Sequence, residues 1–375
     1  MTRDLRVQAK ADYIASLSHA SPLAAIEELV WNALDADARE VRIDLVQNGL
    51  GGIDAVRISD DGTGIALDGV ERTFGGLGGS WKREDGAVSA GKRHLHGRHG
   101  RGRFKAFALG CHVAWNTTFD AGKGLKSYAV SGDLEEPGVF HLDETATGPA
   151  TGTEVLITNV RANANALADA GWVVSTLAAK FALYLKSYPN VRIYFGGLPV
   201  TPVIVQKACT AYTLRLETGA EAKFEVIEWR RRFPGAGRLV FCGADGFSLY
   251  DLPAGVRPGA PFCFTAYLVG ARFDALAAEN ALIMDELNPE TRAYLDAARK
   301  TLRDHFKVRA AEEDAQRLQQ WIDEGSYPFA RDDAGAARAA FDARVADMRA
   351  NLEGFDALPA SERKYLFNVL LKIEG

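Results

Sequence analysis

The stretch from Ser21 to Gly64 leaves this chain little freedom in how it can fold. Ser21 is an N-cap signal and Pro22 suits the first helical position, so a helix is expected from Pro22 to about Asp37. Ile26, Leu29, Val30, Ala33 and Leu34 share one sector of that helix, which faces a core. Glu28, Asn32 and Asp35, spaced i, i+4 and i+7, form a narrow polar stripe at its edge. Two strands follow, Glu40–Val46 and Ile53–Ser59, joined by the turn-like Q-N-G-L-G-G. The second strand runs straight into D-D-G-T-G-I, Asp60 to Ile65.

Each of these pieces has a chemical reading beside a plain one. A carboxylate and an amide one helical turn apart suit an oxygen site for magnesium next to a general base. An exposed polar face accounts for the same triplet. Asp60 at a strand end, followed by Gly62 and Gly64, offers a fixed acceptor beside a backbone without side chains. A flat heterocycle can pack there and donate an amine proton to the acid; an ordinary turn fits as well. Gly97, Gly100 and Gly102 open a helix expected at Gly102–Leu109. Backbone N–H groups at such a start, with Arg101 and other cations around them, attract an anion. The pattern is neither a Walker loop nor a G-x-G-x-x-G that follows a strand. His94, His96 and His99 invite a zinc reading, but no Cys or fourth ligand lies nearby. Thr153 sits in T-G-T before the strand E-V-L-I-T, while Gly75 to Lys82 supplies hinge glycines, the Ser80 hydroxyl and the Lys82 cation.

Composition narrows the function classes. The 375 residues leave room for two to three domains. The net charge of -5 hides a basic stretch: Lys92 to Lys105 holds six Lys/Arg, three His and no acid. Ala311 to Gly354 holds ten acids and five bases. A general nucleic-acid binder would carry a basic excess, so any such contact is expected to be local. No apolar run is long enough for a membrane helix and the start lacks an apolar signal core, so a cytoplasmic protein is expected. Cys111, Cys209, Cys242 and Cys263 lack C-x-x-C spacing and read as buried free thiols.

Farther along, Ala164–Lys186 is expected to be a helix and Asn190–Phe195 a strand, with a boundary near Leu198–Pro202. R-L-V-F-C-G-A-D-G-F-S-L-Y reads as a hairpin. A helix is expected over Pro289–Phe306, then an acidic helical segment from Val308 broken at G-S-Y-P-F. A longer parent protein is left open by the final L-L-K-I-E-G.

In this order, E-L-V-W-N-A-L-D-A-D, D-D-G-T-G-I, G-R-H-G-R-G and T-G-T resemble the GHKL superfamily of ATPases, which includes the gyrase B subunit, heat-shock ninety chaperones, histidine kinases, MutL and MORC proteins. The likeness covers roughly residues 10–200. It implies a two-layer α/β sandwich of Bergerat type, followed by a smaller α/β transducer-like domain and a helical C-terminal segment. The implied domains are residues 1–200, 201–307 and 308–375.

The resemblance also implies roles. Glu28 matches the water-activating carboxylate, Asn32 the Mg²⁺ ligand and Asp35 an acid beside the ATP pocket. Asp60 matches the acceptor of the adenine amine, with Gly62 and Gly64 beside it and Thr153 behind the base. Gly97, Gly100 and Gly102, with Arg101, match the phosphate-cradling turn, and Ser80 and Lys82 resemble the lid's S-x-K element. A basic residue of the second domain would reach the terminal phosphate, the candidates being Lys207, Lys223 and Arg230 to Arg232. The implied activity is Mg²⁺-dependent ATP binding and slow hydrolysis that closes a lid and dimerises a clamp, in DNA transactions or phage defence. A chaperone acting on protein clients and a regulatory module without turnover are the alternatives. A histidine kinase would need a phosphoacceptor hairpin, and the helix around His19 is too short for one.

Overall fold

The computed structural model describes residues 20–70, 74, 93, 102–136, 139–145, 147–231, 236–244, 246, 248–258, 262–279, 281–282, 288–330, 335–352 and 354–372. Helix α1 spans Pro22–Asp35 and starts as its sequence dictates: Ser21 Oγ accepts from Ala24 N–H and Pro22 sits in the first turn. Its expected core sector is buried, and Trp31 joins it.

Eight strands make the first sheet: β1 Glu40–Gln47, β2 Ile53–Asp60, β3 Gly110–Asp120, β4 Leu125–Asp133, β5 Phe140–Glu144, β6 Gly152–Val160, β7 Arg192–Phe195 and β8 Leu198–Pro199. Their order is β5-β4-β3-β6-β2-β1-β7-β8. The sheet is mixed, since β1 runs parallel to β7 while its other pairings are antiparallel. Helices cover it. Ile26, Leu29 and Val30 of α1 share one core with Val41, Ile43, Val56, Ile58, Ile157 and Ile193 of the strands. This is the expected α/β sandwich.

Three helical expectations need correction. Gly102–Leu109 is not one α-helix: α2 covers only Gly102–Lys105 and a 3₁₀ turn follows at Ala106–Ala108. Ala164–Lys186 is broken into a 3₁₀ stretch at Ala162–Ala168, α3 at Ala170–Lys180 and α4 at Ala182–Ser187. Asp169 starts α3 as its N-cap, accepting from Trp172 N–H at 3.0 Å. At the second break the Phe181 ring packs 4.7 Å from Trp31 of α1. The third correction concerns the helix expected to end at Phe306, treated below.

A short helix, α5 at Pro202–Val205, leads into the second sheet. Its strands are β9 Gln206–Arg215, β10 Glu221–Trp229, β11 Arg238–Cys242, β12 Ser248–Pro253 and β13 Phe264–Val269, in the order β12-β11-β13-β10-β9. The expected hairpin is β11–β12. Ala179, Ala182 and Leu183 of α3 and α4 pack with Ile227, Trp229, Val240 and Tyr267, so those helices lie between the two sheets. On this sheet Phe273 of α6 (Ala271–Ala278) stacks edge-on with Phe241 at 5.1 Å.

Compactness divides the chain into Met1–Ala298 and Arg299–Gly375. Helix α7 spans Pro289–Asp323 without interruption, so the helix expected to Phe306 and the helical segment expected from Val308 are one helix, which ends at the expected G-S-Y-P-F break. Arg309 pairs with Glu312 and Glu313, and Arg317 with Asp314, at i±3 and i+4 spacing, which favours continued helix. The helix stops before Gly325, whose φ is 66°. The second unit has its own core: Trp321, Tyr327, Phe341, Val345, Phe355 and Phe367, drawn from α7, α8 (Ala336–Asn351), α9 (Ala360–Lys372) and their links. Buried Arg363 donates to Glu324 Oε2 at 2.7 Å and lies over Trp321.

The cysteines are free, but only Cys242 and Cys263 are buried; Cys111 is half-buried and Cys209 exposed. Cys209 lies on β9, an edge strand whose alternate residues face outward. Among the described residues no helix is long and apolar enough to cross a membrane.

Candidate functional site

The polar stripe of α1 remains half-buried along the edge of its core face: Glu28, Asn32 and Asp35 are all partly accessible. Glu28 is engaged. Its Oε2 accepts from Lys105 Nζ at 2.7 Å, with 14% of the Glu28 side chain and 38% of the Lys105 side chain exposed. Lys105 ends α2, so the pair ties α1 to the segment opened by Gly102. The preceding Glu27 turns elsewhere, 3.7 Å from Lys180 of α3. Burial pushes its carboxyl above the usual range, with Lys180 and Lys105 acting against that rise.

The other end of α1 meets the acid–glycine turn. Asp60 closes β2 opposite Thr153 of β6. Asp60 Oδ1 accepts from Gly62 N–H at 2.8 Å, and a second backbone hydrogen bond comes from Thr153. Asp60 is half-buried by area, yet its carboxylate is strongly desolvated. Desolvation, with a small push from Asp61, raises its pKa to about 6 against the two backbone donors. Asp61 serves the fold instead. Its Oδ1 accepts from Arg39 N–H at 2.7 Å and Glu40 N–H at 2.8 Å, fixing the start of β1.

The glycines are required by the packing of the turn on the protein itself. A Cβ at Gly62 would lie 2.7 Å from Ala36 O, just past the end of α1. Gly64 has φ +71°, and a Cβ there would lie 2.1 Å from Thr118 O. Thr117 completes the corner. Its buried Oγ1 accepts from Ile65 N–H at 2.9 Å and lies 3.1 Å from Thr153 Oγ1. Tyr128 OH donates to Ile65 O at 2.7 Å.

The structure thus gathers Asp60, Gly62, Gly64 and Thr153 in one corner beside the C-terminal end of α1. Glu28 sits farther up the same helix with Lys105, and Asn32 and Asp35 lie between. Gly102 is the first residue of α2. Ser80, Lys82, Gly97, Gly100 and Arg101, and likewise His94, His96 and His99, lie outside the described residues. Of the second-domain cations, Lys207 lies over the Phe262 ring at 5.7 Å, Lys223 pairs with Glu225 at 2.5 Å, and Arg230 donates to Gln206 O at 3.1 Å. Arg231 is exposed, and Arg232 lies outside the described residues.

Sequence reasoning missed Thr117 and Tyr128 as parts of this region, and it placed Lys105 and Arg93 in the basic stretch without their partners Glu28 and Ala38 O. Arg93 donates to Ala38 O at 2.6 Å and lies 5.6 Å from the Tyr188 ring centroid, behind the end of α1. For Thr117 the signal was weak: it is an inward-facing hydroxyl on an otherwise apolar strand face, between Trp115 and Phe119.

Asn32 supplies a carboxamide oxygen one turn from the Glu28 carboxylate and near that of Asp35. These hard oxygen donors suit Mg²⁺. The desolvated acceptor at Asp60 suits a neutral amine donor, since a fixed hydrogen-bond partner offsets the cost of burying a polar group.

Residues 20–132 match the family model described as "Histidine kinase-, DNA gyrase B-, and HSP90-like ATPase". The chain is 28% identical over 180 residues to the protein named "Putative type II restriction enzyme HgiDII" of Herpetosiphon aurantiacus, covering 46% of this chain and 28% of that one. It is 43% identical over 53 residues to the DNA mismatch repair protein MutL of Halalkalibacterium halodurans, which is 14% of this chain and 8% of that one. To MutL of Staphylococcus carnosus it is 29% identical over 176 residues, 46% of this chain and 25% of the relative. The matched part therefore spans no more than 28% of the length of any of these relatives. A solved structure described as the N-terminal domain of a DNA repair protein aligns with a TM-score of 0.48 and 14% identity, over 80% of this chain and 98% of that one.

Proposed function

We propose, from the premise that residues 20–132 form a GHKL-type ATPase domain, that this chain binds ATP with Mg²⁺, hydrolyses it slowly, and uses the nucleotide to close a dimeric clamp. The observation that carries this reading is the corner at Asp60. A desolvated carboxylate, held by the backbone of Gly62 and Thr153, supports the reading as a fixed acceptor for a ligand amine. The adenine amine would donate to Asp60, with Thr153 and the Gly62–Gly64 backbone beside the base.

Asn32 would hold Mg²⁺, with Asp35 on the same stripe. When bound, the metal would neutralise charge on the phosphates. Glu28 would orient a water and take its proton as the water attacks the terminal phosphorus. The turn of Gly97, Gly100 and Gly102, with Arg101, would offer backbone N–H groups to the phosphates, and Ser80 and Lys82 would close over them. Residues 1–200 would act as the nucleotide domain, 201–307 as the transducer and 308–375 as a helical extension.

DNA is the client this reading favours. Two of the relatives are named for mismatch repair and one for restriction, and the sequence from Lys92 to Lys105 is locally rich in cations that could meet phosphates. DNA retardation that weakens steeply with salt would support it; retention of unfolded protein clients instead would favour the chaperone alternative.

The direct test is steady-state ATPase activity. Glu28→Gln should lower turnover at least about 100-fold, as loss of a general base does. Turnover equal to wild type would refute the assigned base. Light scattering with a non-hydrolysable ATP analogue should show a monomer-to-dimer shift, and no shift would refute the clamp.

A further inference from the structure

We infer that Lys105 is the positioning residue for the Glu28 carboxylate, a role that rests on the reading of Glu28 as the group that activates water. Lys105 Nζ lies 2.7 Å from Glu28 Oε2, at the normal distance for a charge-assisted hydrogen bond. The carboxylate is the less exposed partner at 14%, the ammonium the more exposed at 38%, so the cation approaches from the rim.

A glutamate has three side-chain torsions and, left alone, samples several rotamers. A general base must instead be held within hydrogen-bond reach of the proton it takes. Two adjacent carboxylates make the problem sharper here, because either could be drawn to either lysine. The structure resolves it by division: Glu27 turns toward Lys180 on α3 and Glu28 toward Lys105 on α2. Lys105 also acts on Glu27 through its charge, so its loss would disturb the division as well as the pair. Its place at the end of α2 matters in a second way. Gly102 opens that same helix, so one short segment carries both Gly102 and the partner of Glu28.

The test uses the full chain with Lys105→Met and Lys105→Arg. Because 38% of the Lys105 side chain is exposed, both should fold. Lys105→Met should lower kcat about tenfold or more, while the Kd for a non-hydrolysable ATP analogue changes less than about threefold. Lys105→Arg should restore kcat to within about threefold, because a guanidinium can make the same bond. Without any nucleotide, the unfolding midpoints of Lys105→Met, Glu28→Gln and the double variant should be non-additive.

An unchanged kcat in Lys105→Met would overturn the inference. So would analogue binding that falls as far as turnover, since Lys105 would then act on the nucleotide rather than through Glu28. Additive midpoints would overturn the pairing itself. If the wild type failed to bind the analogue, the nucleotide reading would fall and this inference with it. Turnover that needs Glu28 but not Lys105 would overturn this inference alone.

Discussion

Asp60 in the first sheet and Glu225 in the second are both desolvated carboxylates on strands, yet they titrate in opposite directions. By area Glu225 is the more deeply buried, with 3% of its side chain exposed. Burial alone would raise its pKa, but hydrogen bonds from Lys186 and Lys223, and their charges, hold it below the usual value. Asp60 is met by backbone N–H groups, and its pKa is raised to about 6. Desolvation raises both carboxyls, and the direction of the net shift follows from whether cationic partners stand against it. Glu225 joins α4 to β10, with Lys186 at 2.7 Å and Lys223 at 2.5 Å, and serves the fold. Among the described residues Asp60 has no cation as partner, only the backbone N–H groups of Gly62 and Thr153.

The sharpest way to break this comparison is to neutralise both acids. Asp60→Asn should weaken binding of an ATP analogue more than about 100-fold by calorimetry, because the amide presents a donor where an acceptor is needed. The unfolding midpoint of the nucleotide-free protein at pH 8 should stay level or rise. The sign follows from linkage: a carboxyl whose folded pKa is raised contributes stability that is complete below its unfolded pKa of 3.8 and is lost as pH rises through about 6. A fall in the midpoint would show that the Asp60 charge holds the fold together. The same titration predicts a pH effect on wild-type binding. Affinity should drop about tenfold per unit as pH falls below about 6, and this slope should be absent in Asp60→Asn.

Glu225→Gln should do the reverse. Stability should fall by about 1–2 kcal/mol in denaturant melts near pH 7, less than for a fully buried pair because Lys186 and Lys223 are themselves 56% and 58% exposed. Analogue binding should change little. The depressed pKa of Glu225 means that its contribution is present above its unfolded value and lost as pH falls through the folded one, so the variant's deficit should shrink in acid. The smallest effect is expected from Thr117→Val. It removes the acceptor of Ile65 N–H and the neighbour of Thr153 Oγ1, and should cost about 1 kcal/mol of stability with a few-fold loss of affinity. Unchanged affinity there would separate Thr117 from the pocket.

Much of the first layer was legible because its signals are local. The cap at Ser21, the apolar spacing of α1 and the turn after Asp60 each depend on residues a few positions apart. The same holds for the β11–β12 hairpin. Where expectation and structure part, longer-range terms decide. The break at Phe181 accompanies packing against Trp31 on another helix. Periodicity alone does not show such a break, because both sides of it are apolar and helix-compatible. The second half of α7 is helical and stops at G-S-Y-P-F, as expected. What periodicity did not show is that it continues the first half without a break, because it is strongly polar and held by charge pairs along its own surface rather than by a continuous apolar stripe.

By itself, then, the sequence determined which groups could do chemistry and where on their own elements they stand: Glu28, Asn32 and Asp35 on one stripe, Asp60 at a strand end, glycines where the turn must close. Tertiary structure alone decided what those groups touch. Thr117 reaches Ile65 from β3 and Lys105 reaches Glu28 from α2 across stretches of chain that carry no spacing rule. The physical reason is that hydrogen bonds and ion pairs act over a few ångströms of space, while sequence patterns report only distances along the backbone. A contact between distant segments becomes visible only once the sheet and helices have brought them together.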